Sequence, residues 1–169
     1  MNRILSTLAR VWDLAARIGS ALNWFPPTVA RLTVGLVFFQ SGWAKLHGLA
    51  KVTDYFMELG IPAPALQATL ASTTEFVCGS LLLLGLATRF AAVPLMITMT
   101  VAIRTAQWSQ VDSLGSLFGL VEFLYIALLL WLSTTGAGPL SVDWLIERYR
   151  EQRAPTPVLG GHTSNATAR

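Results

Sequence analysis

Between Thr28 and Leu132 the chain runs as long apolar stretches broken by short polar punctuation. Four stretches are long enough to predict helices: about Thr28–Ala44, Leu66–Thr88, Phe90–Thr105 and Leu114–Leu132. A helix crossing a bilayer needs about 17–25 residues, so the first and third are short and predict tilt or a locally thin membrane. The punctuation agrees with these limits. Pro26-Pro27 precedes the first stretch and Pro62 and Pro64 precede the second, where a helix tolerates proline in its opening turn. Gly85-Leu-Ala-Thr-Arg89 links the second and third tightly, and Pro94 predicts a mild kink in the third.

The flanks follow a different pattern. Over residues 1–24, Arg3, Arg10 and Arg17 recur every seven residues while Ile4, Leu8, Val11, Trp12, Ala15 and Ile18 fill another face. The arginines interrupt any apolar core that a secretory signal would need, so this segment predicts an amphipathic helix lying on a membrane surface. Leu49–Leu59 predicts a shorter one, and residues 136–153 a capping segment with a short helix. The tail 154–169 has no periodicity and predicts disorder; its Asn165-Ala166-Thr167 sequon carries no weight in a cytoplasmic tail.

Composition turns these helices into membrane helices. Only 12% of the 169 residues are charged and 53% are hydrophobic, against about 25% charged in soluble domains. The expected fold is therefore all-α: a four-helix transmembrane bundle over residues 25–135, an N-terminal amphipathic interfacial helix and a short C-terminal cytoplasmic helix. The net charge of +3 comes from basic residues scattered singly at segment ends. That distribution gives nucleic acid no footprint and serves topology instead. With the amino terminus inside, nine basic residues, from Arg3 to Arg169, lie on the cytoplasmic side, and Lys45, Lys51 and Arg104 on the other. Both termini are expected in the cytoplasm of an integral inner (plasma) membrane protein.

Charge within the apolar stretches is the candidate chemistry. Glu75 lies roughly 14 Å, and Glu122 roughly 12 Å, below the outer membrane face at a rise of about 1.5 Å per residue. Lys45 and Arg104 sit near the outer ends of their spans, and Gln40 and His47 occupy the same half. A lone buried carboxylate is costly, so Glu75 is expected to pair with Lys45 or Arg104, or to be protonated. The cluster reads either as an ion-pair network fixing helix register or as a site for a polar head group, a quinone ring or a proton. Cys78 is the single cysteine, which excludes an internal disulfide and a cysteine zinc site. No metal site is expected. Haem is disfavoured, because His162 lies in the tail and leaves His47 without a second histidine at membrane depth. No phosphate loop, dinucleotide fingerprint or nucleophile–base pair is present, so the residues themselves define no catalytic centre. Gly115-x-x-x-Gly119 has the spacing of packed membrane helices.

Three segments together resemble the DoxX family. Arg31-Leu-Thr-Val-Gly35 with Ser41-Gly42-Trp43-Ala44-Lys45-Leu46 resembles its first-helix pattern, and Glu75-x-x-x-Gly79 with Leu81–Gly85 and Thr88-Arg89 its second. Gly136-Ala-Gly138-Pro-Leu-Ser141-Val-Asp143 resembles the motif after its fourth helix. The resemblance implies a four-helix membrane protein of bacterial or archaeal inner membranes. Its relatives are linked to quinone-dependent thiosulfate oxidation and to membrane oxidoreductase complexes responding to oxidative or thiol stress. It thus implies a quinone-interacting or anchoring subunit of such a complex, with quinone as a ligand and no intrinsic cofactor. The alternatives are a non-catalytic scaffold that recruits an oxidoreductase or, less favoured, a small transporter; homo-oligomerisation stays open. On the cytoplasmic side Arg31, Arg89, Ser141 and Asp143 are expected to form a second polar cluster, whose simplest role is a structural clamp. Ser141 or Asp143 is placed to cap the last helix.

Overall fold

Proline opens and glycine closes two of the long helices. The computed structural model describes the backbone of residues 2–153, with side chains from residue 11 onward except residue 18. The expected tail disorder and the sequon therefore lie outside the described residues. Helix α1 is Asn2–Ala21, and α2 is Phe25–His47, with Pro26 and Pro27 in its first turn. α2 runs one turn beyond the expected end and stops where the Gly48 N–H donates to the Ala44 and Lys45 carbonyls. The short α3, Leu49–Glu58, has no fully buried residue. α4, Pro64–Leu84, ends on Gly85 in the left-handed region at φ +66°, and the Leu86 N–H closes back onto the Leu81 carbonyl. α5, Thr88–Ala102, contains Pro94 and continues through a π turn, Ile103–Gln107, and a 3₁₀ turn, Trp108–Gln110.

The fourth expected stretch is corrected. It divides into α6, Leu114–Gly119, and α7, Val121–Thr135, separated at Leu120 with ψ 135°. A reciprocal Ser113–Ser116 capping box starts α6. Gly119 ends it rather than packing it: a Cβ there would meet nothing within 4 Å, and one at Gly115 would meet only its own Ser113. α8, Val142–Arg153, completes the chain. By length and apolar composition, one helix among the described residues qualifies to cross a membrane, the continuous Thr88–Gln110; α7 is apolar but shorter.

α2, α4, α5 and α7 close a ring, with α2 on α4 and α5 on α7 as its main interfaces and α3 laid against α4. Val34, Phe38, Leu82, Ala92, Leu95 and Leu129 fill the centre. The α2–α4 interface is held close by glycine. A Cβ on Gly42 would lie 2.3 Å from the Phe76 nitrogen, and one on Gly79 2.5 Å from the Phe39 nitrogen. Outward, the ring presents apolar side chains: Leu36, Val77, Phe90 and Ile97 are all exposed, Phe90 to 81%. An apolar exterior this continuous is uncommon on a water-soluble monomer. Residues 11–17 of α1 are also exposed, including Val11, Trp12 and Leu14.

Candidate functional site

The Gly42 contact builds the site. Because α2 rests on the α4 backbone at Glu75–Phe76, the residues flanking Gly42 on that face come down on the Glu75 side chain. Ser41 and Lys45 are four residues apart, hence neighbours on one helix face. Lys45 Nζ donates to Glu75 Oε1 at 2.5 Å and to Oε2 at 2.7 Å, and Ser41 Oγ donates to Oε2 at 2.8 Å. Glu75 is 1% exposed, so its charge is matched by an ammonium and a hydroxyl rather than by solvent. Ser41 was not among the expected site residues, although its i, i+4 spacing to Lys45 signals it.

The other expected members of this cluster separate. Arg104 does not reach Glu75: it lies on the π turn, exposed, with its guanidinium 4.8 Å from the centre of the Trp108 ring. The wider turn redirects the side chain from the bundle interior to its edge. Gln40 and His47 are exposed on the outward face of α2, together with Leu36 and Trp43. His47 stacks on Trp43 with ring centres 4.3 Å apart, and its Nδ1 lies 2.9 Å from the Trp43 carbonyl. Glu122 sits in the first turn of α7 because of the break at Leu120, and accepts from Gln107 Nε2 at 3.3 Å.

Glu75, Lys45, Gln107 and Glu122 nonetheless share one cavity of about 860 Å³. Its walls come from α2, α4, α5, the π turn and α7, and α3 contributes Lys51, Tyr55 and Phe56 at the same end. The lining is mostly apolar, with the polar groups gathered at a few points, as in small-molecule sites generally. Among the described residues no group of three or more His, Cys, Asp or Glu could hold a metal ion.

At the opposite end Arg31, Ser141 and Asp143 meet around the Gly85–Thr88 turn. Arg31 is 3% exposed and donates from Nη2 to the Leu140 carbonyl at 2.7 Å. A Cβ on Gly85 would lie 1.7 Å from Arg31 Nη1, so only glycine leaves room for the guanidinium. Ser141 caps α8 by accepting from the Trp144 N–H at 3.1 Å. Asp143 instead caps α5, accepting from the Ala87 and Thr88 N–H groups at 2.8 and 3.1 Å, while its own N–H donates to the Gly85 carbonyl at 3.0 Å. Residues 136–143 are thus a strap tied to the α4–α5 turn. Arg89 is exposed at the edge of this cluster, beside Gly136.

The DoxX family model matches residues 27–108. The chain is 48% identical to the uncharacterized membrane protein Rv3486 of Mycobacterium tuberculosis over 46% of its own length and 50% of the relative's. The chain therefore spans about half the length of that relative. It is 30% identical to "Putative oxidoreductase CatD" of Bacillus subtilis, covering 67% of this chain and 81% of the relative. It is 33% identical to the inner membrane protein YphA of Escherichia coli, covering 68% and 86%. No solved structure matches the chain.

Proposed function

Because this chain belongs to the DoxX family of membrane proteins, we propose that it is a multi-pass inner-membrane subunit of an oxidoreductase complex that binds a quinone in the cavity beside Glu75. The observation that carries this reading is the Lys45–Glu75 pair on the wall of an apolar cavity of about 860 Å³, with Glu75 buried and Lys45 partly open. Intramembrane ionisable groups are expensive and mark ligand or proton sites. An apolar pocket with a few fixed polar groups suits a ring with polar oxygens and an apolar tail. The relative named as an oxidoreductase supports the reaction class.

In this reading the chain makes four crossings with both termini in the cytoplasm. α2 and α4, of 23 and 21 residues, extend roughly 30–35 Å at about 1.5 Å per residue, the thickness of a hydrocarbon core. The exposed apolar belt gives lipid its contact surface, and Trp24, Trp43, Trp108 and Trp131 are exposed near helix ends. α1 then lies along the cytoplasmic leaflet, with Val11, Trp12 and Leu14 in the headgroup boundary.

The test is the quinone content of the intact protein purified in mild detergent. Wild type should retain extractable quinone, and Glu75→Leu combined with Lys45→Met should lose it while staying folded. Equal content in both would overturn the site. The second reading, a scaffold that recruits a redox enzyme, draws on the exposed α1 and on α8, whose charged face carries Arg148 and Glu151. It predicts that truncating α8 after Ile146, which keeps the Asp143 cap, releases a co-purifying oxidoreductase without changing quinone content.

A further inference from the structure

The two polar stations of the cavity are not equivalent, and their difference is readable from hydrogen-bond direction. At the first station every donor points at Glu75. Lys45 contacts both carboxylate oxygens and Ser41 adds a bond to Oε2. Glu75 accepts three of the roughly four bonds a carboxylate can take and is 1% exposed, while an ammonium has three N–H groups and spends two here, leaving one donor for the cavity. The second station runs the other way. Gln110 Nε2 donates to Gln107 Oε1 at 2.5 Å, which turns the Gln107 amide so that its Nε2 donates to Glu122 Oε1 at 3.3 Å. The relay ends on a carboxyl group whose second oxygen has no partner among the described residues. The first station offers a spare donor and the second a spare acceptor.

Resting on the cavity reading proposed above, we infer that the site is selective for the reduced, hydroxyl-bearing form of its ring ligand. A ring hydroxyl donates to Glu122, and an oxygen at another ring position accepts from Lys45. The fully oxidised ring has acceptors only; it satisfies Lys45 but leaves Glu122 facing a carbonyl lone pair. Hydrogen bonds to charged groups are the stronger kind, so losing one lowers affinity by at least about tenfold. The π turn is the structural device behind this asymmetry, since it brings Gln107 to α7 at the level of Glu122.

The test titrates the full chain in nanodiscs with a decyl-substituted benzoquinone. One series keeps the probe oxidised; the other reduces it to the hydroquinone under anaerobic conditions. The hydroquinone should bind at least about tenfold more tightly. Glu122→Leu should bring the two affinities together by weakening only the hydroquinone, and Lys45→Met should weaken both forms. Equal affinity of the two forms for wild type overturns the selectivity and leaves the cavity reading intact. Binding of neither form overturns both. A preference that survives Glu122→Leu assigns selectivity elsewhere and overturns the role of Glu122.

Discussion

Replacing Lys45 with methionine removes the ammonium while keeping a flexible stem of similar length. Glu75, 1% exposed, is left with the Ser41 hydroxyl and an uncompensated charge. Breaking a buried pair by deleting one partner costs about 3–5 kcal/mol. The Lys45 side chain is 37% accessible toward the cavity, which places the loss near about 3 kcal/mol, the lower end of that range. For a chain of this size that is a fall in melting temperature of roughly 6–12 °C. Thermal unfolding in detergent, followed by tryptophan fluorescence, measures it. Lys45→Met combined with Glu75→Leu should recover most of the loss, because no charge is then stranded. A single variant within about 1 kcal/mol of wild type, far below the cost of a stranded charge, would refute the reasoning. So would a double variant as unstable as the single.

Gly42→Ala should destabilise by more than the usual 1–3 kcal/mol of overpacking, since the new Cβ meets the Phe76 backbone rather than a flexible side chain; the same melts detect it. Asp143→Ala should cost about 1–2 kcal/mol through loss of the α5 cap, and should raise the rate of proteolytic cleavage within residues 136–141 several-fold. Gln40→Ala and Arg104→Ala, both on exposed faces, should change stability by no more than about 0.5 kcal/mol and leave quinone content as in wild type.

The Glu75–Lys45 pair was legible in the sequence because burying a charge is costly and few cations lie at that level of the chain. Arg104 was the rival, and nothing in Ile103–Gln107 announces a π turn, whose extra residue re-aims the side chain. The positions of Gln40 and His47 were legible in principle. They fall on one helical face with Leu36 and Trp43, whereas Ser41 and Lys45 share the opposite face with Val34 and Phe38. Sorting by membrane depth alone merged the two faces. Gly115-x-x-x-Gly119 misled in the other direction, since Gly119 marks the end of α6 and lets Glu122 open a new helix. For Asp143 the local sequence pointed to its own helix, but the turn it caps lies more than fifty residues away, a partnership that only the closed ring creates.

The most direct measurement is photolabelling of the full chain in nanodiscs with an azido-substituted quinone, followed by peptide mapping. Adducts are predicted on the cavity walls, at residues 41–45, 71–75, 102–107 and 121–125. Unlabelled quinone should compete them away, and the Lys45→Met, Glu75→Leu variant should lack them. Adducts spread over outward-facing positions such as Leu36, Phe90 and Ile97, unaffected by competitor, would contradict a quinone site beside Glu75.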